Sequence, residues 1–170
     1  MSYCAPMPQL DHLLEANRGY AETFDRSSLS MPPKKQLAIV ACMDARLTVE
    51  EFLGLRTGDA HIIRNAGGVV TEDEIRSLII STELLGTREI LVINHTDCGM
   101  LTFRDADLQK KLSAKYGSDA SRVRFHAFDD LSINVKEQVK KIRESPFISR
   151  DIPVHGFIFD VKNGRLQKVV

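Results

Sequence analysis

Short apolar runs alternate with capped, amphipathic segments along most of this 170-residue chain, and this alternation most limits what the chain can fold into. The runs at 36–43 (QLAIVACM), 60–68 (AHIIRNAGG) and 88–95 (REILVINH) have the length and continuous apolarity of strands buried on both faces. Between them, 48–55 and 71–86 begin with a threonine N-cap, and Gly54 and Gly86 are their stop signals, as in helices. The pattern predicts an α/β fold with a mostly parallel central sheet flanked by helices.

The two ends of the chain complete this prediction. Residues 9–24 have the apolar spacing of an amphipathic helix, and 105–117 and 129–147 are two further helices. The last two apolar runs, 154–161 and 165–170, are joined by Asn163-Gly164, which predicts a C-terminal antiparallel hairpin with a type I′ turn. We expect one domain over 1–170, in which 1–35 is an N-terminal helix and loop.

Composition excludes several classes of partner. Lysine plus arginine equals aspartate plus glutamate at 23 each, so no net field favours nucleic acid or an anionic membrane surface. The N-terminus lacks the pattern of a signal peptide, and no apolar run approaches the ~20 residues of a membrane span. Three cysteines are an odd count in a core-rich chain, which favours free thiols and a reducing, cytoplasmic setting over a disulfide framework.

Three side chains with metal-binding chemistry stand where two predicted strands end. Cys42 closes the first strand, and His95 and Cys98 follow the third. If these strands are neighbours, the three side chains meet at the carboxyl edge of the sheet, where functional groups gather in open α/β folds. Two thiolates and an imidazole are ligands that zinc prefers, and three protein ligands leave a fourth position open, as in catalytic sites. The alternatives are a redox thiol pair, or buried cysteines beside a capping histidine.

Asp44 and Arg46 follow Cys42 at alternate positions, which in an extended segment places them on one side. An arginine fork holds a carboxylate with two hydrogen bonds and keeps it ionised. Asp44 could then orient metal-bound water, or, when unpaired, become the fourth metal ligand in a closed state. The alternative is an ion pair that only braces a loop.

The motifs CMDAR (42–46) and HTDC (95–98) resemble the C-x-D-x-R and H-x-x-C motifs of the β-class carbonic anhydrases, and the similarity extends along nearly half the chain. The resemblance implies Zn²⁺ bound by Cys42, His95 and Cys98, with Asp44 and Arg46 as an orienting pair. It also implies a homodimer or a dimer of dimers, whose N-terminal helix crosses to the partner subunit. Gly67, in the segment NAGG (65–68), and Gly99, which directly follows the second motif, are candidate substrate-binding positions.

The family resemblance leaves the substrate open. Many members read R-N-A-G-N where this chain has R-N-A-G-G at 64–68, and the short members also resemble carbonyl sulfide and carbon disulfide hydrolases. Hydration of carbon dioxide ranks first, hydrolysis of carbonyl sulfide second, and a non-catalytic zinc-binding dimer third. For His126, a surface or core role ranks ahead of a role as proton shuttle, and Phe103, Phe125 and Phe128 either line an apolar pocket or pack in the core.

Overall fold

The computed structural model describes residues 9–170, so the N-terminal thiol Cys4 lies outside the described residues. The chain forms two compact units, one ending at Ser30 and one spanning Met31–Val170. The smaller unit contains helix α1 (Gln9–Glu22), close to the predicted range 9–24. Its apolar side chains are exposed: Leu10, Leu13, Leu14 and Tyr20.

The larger unit is built on a five-stranded sheet with the order β2-β1-β3-β4-β5. The first four strands in this order are parallel, and β5 pairs antiparallel with β4. The strands are β1 (Leu37–Cys42), β2 (Ala60–Asn65), β3 (Glu89–His95), β4 (Val154–Phe159) and β5 (Leu166–Lys168). The predicted α/β class, mostly parallel with an antiparallel end, is confirmed.

Helices connect the strands and cover the sheet. They are α2 (Val49–Phe52), α3 (Glu72–Glu83), α4 (Asp105–Tyr116) and α5 (Leu131–Glu144), with two short 3₁₀ helices at Ala66–Gly68 and Gly99–Leu101. Thr71 caps α3 as predicted, in a capping box with Glu74. Thr48 occupies the N-cap position of α2, but its side chain accepts no capping hydrogen bond; its hydroxyl donates to the Glu51 carboxylate (2.7 Å).

Strand β1 lies at the centre of the core and is buried on both faces. Ala38 and Val40 belong to one apolar cluster, and Ile39 and Ala41 belong to the other, as the two-residue period of a strand requires. All four side chains are inaccessible to solvent. Burial on both faces therefore explains the continuous apolarity of this run, as predicted. Cys42 is the last residue of the buried strand.

The C-terminal hairpin is present, but the prediction of a type I′ turn is wrong. That turn needs a positive φ at both central residues, and here Gly164 has φ +71° while Asn163 is outside the left-handed region. The connection is longer: the Asp160 carbonyl accepts from the amides of Asn163 and Gly164, and the Asp160 amide donates to Arg165. The Asp160 carboxylate accepts from Lys162 and Asn163, which stabilises the wider loop.

None of the helices within residues 9–170 is long and apolar enough to cross a lipid bilayer.

Candidate metal centre

The predicted ligands converge because β1 and β3 are parallel neighbours. Cys42 is the last residue of β1, His95 is the last residue of β3, and Cys98 follows three residues later. One sulfur from each cysteine and one nitrogen of His95 all lie within 4.8 Å of one another. The three residues are at most 4% exposed, so they form a closed cluster rather than a surface group.

The orientation of His95 fits a metal ligand. Its Nδ1 lies 2.9 Å from the backbone carbonyl of Thr96 and must donate, because a carbonyl only accepts. Nε2 then carries the lone pair, and it is buried with no hydrogen-bond partner among the described residues. Buried polar atoms are rarely left without a partner, and a histidine ligand typically donates its other ring nitrogen to a carbonyl. An ion at the cluster would satisfy this nitrogen.

The two thiols are too close to act independently. A hydrogen bond from Cys98 lowers the pKa of the Cys42 thiol despite burial, and the backbone groups of Asp44 and Gly67 lower it further. The Cys42 thiolate and burial in turn raise the pKa of Cys98. The second thiolate therefore needs a cation beside it, and a divalent metal would supply that charge. Two free thiols and one orphaned imidazole nitrogen are a donor set that fits zinc.

Asp44 and Arg46 form the predicted two-point ion pair beside this cluster. The Arg46 Nε donates to Oδ1 (2.9 Å) and Nη2 donates to Oδ2 (2.8 Å). These hydrogen bonds hold the pKa of Asp44 well below its usual range, so the carboxylate is ionised at neutral pH. Its Oδ2 lies 3.8 Å from the unpartnered Nε2 of His95. The structure thus brings Asp44 to the cluster in its arginine-paired arrangement, and its role as a ligand in a closed state stays a prediction.

Two polar contacts of the site were not predicted from the sequence. Asp97 binds Arg46 from the other side, through its carboxylate (2.8 Å to Nη1) and its carbonyl (2.9 Å to Nη2). Arg64 donates to the carbonyls of Cys42 (3.0 Å) and Asp44 (2.6 Å), and so holds the segment that carries both residues. Asp97 stands inside the H-x-x-C motif with φ +56°, a left-handed conformation that Asp tolerates better than most residues. An aspartate at this position of the motif was therefore the sequence signal for a special role of Asp97.

The glycines of the NAGG segment make the close backbone approach that their sequence indicates. The Gly67 amide donates to Cys42 Sγ at 3.3 Å. A Cβ on Gly68, which has φ +59°, would lie 2.9 Å from the backbone nitrogen of Cys42. Gly99 begins the 3₁₀ helix after Cys98, is exposed, and has open space around its Cα. Substrate binding by Gly67 and Gly99 stays a prediction.

Aromatic side chains pack against the apolar cluster that includes Cys42 and Cys98. Phe103 and Phe128 both belong to this packing, and Phe125 makes an edge contact with Phe103 at 6.5 Å between ring centroids. A Cβ on Gly67 would lie 3.2 Å from the Phe128 ring, so this ring is next to the amide that contacts Cys42. His126, the candidate proton shuttle, instead lines an open groove with the start of α3, Arg124 and Lys141.

Comparison with known proteins gives a consistent result. The family model for carbonic anhydrase matches residues 37–166. β-Carbonic anhydrase 1 of Mycobacterium tuberculosis is 46% identical, and the match covers 96% of this chain and 99% of the relative. A carbon disulfide hydrolase of Acidianus is 34% identical over 81% of this chain and 79% of its own length. The crystal structure of carbonic anhydrase from Streptococcus mutans has a TM-score of 0.92 at 44% identity, covering 98% of this chain and all of that one. The chain therefore belongs to the β-class carbonic anhydrase family.

Proposed function

We propose that this protein is a zinc-dependent carbonic anhydrase that catalyses the reversible hydration of carbon dioxide to bicarbonate. The single observation that carries this proposal is the buried, unpartnered Nε2 of His95, which shares a cluster with two thiols and lies 3.8 Å from an ionised, arginine-held carboxylate. Similarity to a β-carbonic anhydrase over nearly the whole chain favours carbon dioxide as the substrate.

Cys42, His95 and Cys98 would hold the zinc ion. When bound, zinc supplies Lewis acidity, which makes water a nucleophile near neutral pH. Asp44, kept ionised by Arg46, can only accept hydrogen bonds and would therefore orient the attacking water. Water adds to the carbon of carbon dioxide, and one proton leaves for each bicarbonate formed. Arg46 would hold the Asp44 carboxylate in place, because it donates a hydrogen bond to each of the two carboxylate oxygens.

The second candidate is hydrolysis of carbonyl sulfide to carbon dioxide and hydrogen sulfide. Carbon disulfide hydrolases are among the relatives above 30% identity, and these substrates are linear, neutral heterocumulenes like carbon dioxide. The same donor set would serve all three molecules, so the shape and polarity of the pocket decide between them. The third candidate, a non-catalytic zinc-binding dimer, predicts bound metal without turnover.

Paired assays on one purified sample separate these candidates. Stopped-flow measurement with a pH indicator follows carbon dioxide hydration, and release of hydrogen sulfide follows hydrolysis of carbonyl sulfide. We expect faster turnover of carbon dioxide, with both activities lost in Cys98→Ser and both kept in the control Cys4→Ser. Much more efficient consumption of carbonyl sulfide would replace the first candidate by the second, and zinc without either activity would favour the third.

We further propose that the protein works as a homodimer or a dimer of dimers, as the family resemblance implies. Leu10, Leu13 and Leu14 on α1 are 61%, 65% and 47% exposed in the single chain. Apolar side chains clustered on one helix at this exposure favour a protein partner, and a second copy is the partner that the family provides. Cytoplasmic location stays a prediction.

A further inference from the structure

Helix α5 presents a row of polar side chains on the face that otherwise packs in the core. Asn134 and Gln138 are 4% and 2% exposed, although their neighbours Val135, Val139 and Ile142 supply apolar packing. Lys141 continues the row at the surface end, so the three polar residues follow the spacing i, i+4, i+7 of one helix face. Packing alone does not require these groups, because a helix on a sheet needs only an apolar stripe.

These residues form one hydrogen-bonded chain that runs from the surface to the metal centre. Lys141 Nζ donates to Gln138 Oε1 (2.9 Å), and Gln138 Nε2 donates to Asn134 Oδ1 (2.6 Å). Asn134 Nδ2 then donates to Oδ1 of Asn94 (2.7 Å), the residue that precedes the ligand His95. Asn94 Nδ2 donates to the carbonyls of Gly67 (2.9 Å) and Gly68 (3.2 Å).

The last link is the glycine turn that contacts Cys42. Asn94, itself 1% exposed, fixes both carbonyls of the turn, and the Gly67 amide in the same turn donates to Cys42 Sγ. Gln138 Oε1 also accepts from the amide of Val70 (2.8 Å), two residues beyond the turn. The position of the Gly67 amide is therefore set from the side of α5 rather than by the turn alone.

All members of the chain point the same way. Each carboxamide directs its oxygen toward Lys141 and its NH₂ group toward the glycine turn, so the dipoles add head to tail. Their positive ends, with a lysine cation behind them, face the end of the sheet where two sulfur ligands gather negative charge. In a buried, low-dielectric setting such aligned groups act more strongly than they would in water.

Gly68 is part of the same arrangement. A Cβ at this position would lie 3.1 Å from Asn94 Nδ2 as well as 2.9 Å from the Cys42 backbone nitrogen. The amide of Asn94 thus fills the space that a side chain at residue 68 would enter. This packing gives a physical reason for glycine at the position where many family members carry asparagine.

We propose that Asn94, Asn134, Gln138 and Lys141 are positioning residues of the metal centre, which hold the Gly67 amide against the Cys42 sulfur. This inference rests on the proposed function in one respect, that Cys42, His95 and Cys98 hold zinc. These four hydrogen-bonded side chains contact neither substrate nor reacting atoms, so we expect their replacement to change metal binding first.

Competition with a zinc chelator of known affinity tests the proposal on the purified, zinc-loaded protein. Loss of an outer hydrogen-bond partner typically weakens metal binding by about 10–100-fold, and we expect this for Asn94→Leu and a smaller loss, about threefold, for Lys141→Met. Lys140→Met is the matched control, because Lys140 is on the same helix with 68% of its side chain exposed and forms a solvent-exposed ion pair with Glu144 at 3.7 Å. It should keep the zinc dissociation constant of the wild type.

The cobalt-substituted protein gives a second measurement that a merely structural role would not change. The sulfur-to-cobalt charge-transfer band should shift in Asn94→Leu and stay in place in Lys140→Met. An unchanged zinc dissociation constant in either folded variant, Asn94→Leu or Lys141→Met, would overturn the proposed positioning role. Lys141 lies at the surface, so its variant decides the test if Asn94→Leu does not fold. A wild type that binds no zinc would instead refute the proposed function.

Discussion

Among the described residues, the Asp44 carboxylate accepts its hydrogen bonds from Arg46 on one side, and on the other it faces the nitrogen of His95 that has no hydrogen-bond partner there. The alternation of Cys42, Asp44 and Arg46 was enough to predict this pair, because an extended segment puts alternate side chains on one side. The second carboxylate on Arg46 could not be predicted in the same way. Asp97 reaches the arginine only because β1 and β3 are adjacent and because its own backbone turns to φ +56°.

Replacing Asp44 by asparagine separates its charge from its size. In Asp44→Asn the amide no longer accepts through both oxygens, and Arg46 loses its two-point partner. We expect kcat/KM for carbon dioxide hydration to fall by about 100-fold, within the range for loss of a positioned proton acceptor, while zinc content stays unchanged. Stopped-flow kinetics and metal analysis measure the two quantities. The control Asp97→Asn should lose much less, and equal losses in the two variants would contradict a special role for Asp44.

At the scale of elements, apolar runs and caps predicted the strands and helices, but not the features that depend on contacts between distant residues. Strands β1 to β3, the capped helix α3 and the meeting of Cys42 with His95 all follow from apolar runs and their ends. The hairpin turn was misassigned because Asn163-Gly164 is only part of a longer loop stabilised by the Asp160 carboxylate. The polar row on α5 was missed because Asn134 and Gln138 look solvent-facing in sequence, and only the tertiary contact with Asn94 explains their burial.

The glycine turn offers a sharp test of backbone packing. In Gly68→Ala the new methyl group would lie 2.9 Å from the Cys42 backbone nitrogen in a left-handed conformation (φ +59°). We expect a loss of about 1–3 kcal/mol in the free energy of unfolding, measured by urea denaturation. Gly99→Ala is the matched control, because that Cα has open space around it and should keep the wild-type stability. Equal stability of both variants would show that the turn relaxes freely.

Asp105 ties the start of α4 to the segment 125–127 and makes stability depend on pH. Burial would raise the pKa of its carboxyl, but the amides of Phe125, His126 and Ala127 donate to it and lower the pKa overall. A lowered folded-state pKa contributes stability above the unfolded value of about 3.9, and the contribution is lost as pH falls through the folded value.

Asp105→Asn should therefore be destabilised by about 1–2 kcal/mol at pH 7, because one of the two acceptor oxygens becomes an NH₂ donor that faces at least one donating amide. The difference from wild type should shrink as the pH is lowered below about 4. Urea denaturation across pH measures it, with Asp107→Asn, an exposed acid of the same helical turn, as the control. A difference that does not change with pH would mean that the carboxylate charge is irrelevant.

At the scale of the whole molecule, lysine plus arginine balance aspartate plus glutamate, and the match to a β-carbonic anhydrase covers 96% of the chain. Assembly is the least constrained property, because a sequence pattern can indicate that α1 is amphipathic but not which surface covers it. The family resemblance supplies the expectation of a second copy.

Sedimentation equilibrium tests this expectation. We expect a mass of at least twice the 19.1 kDa of the single chain. Leu13→Glu, which puts a charge on the exposed apolar face of α1, should shift the population toward the monomer, whereas the control Glu15→Gln, at an exposed residue of the same helix, should not. A wild type that sediments as a monomer at micromolar concentration would contradict the proposed assembly.

The central claim is that Cys42, His95 and Cys98 bind one zinc ion. X-ray absorption at the zinc edge of the purified protein tests it most directly, because zinc–sulfur and zinc–nitrogen distances differ. The account predicts about one zinc per chain, with two sulfur ligands near 2.3 Å and light-atom ligands near 2.0–2.1 Å. Absence of zinc from protein purified under reducing conditions, or a shell that contains no sulfur, would contradict it.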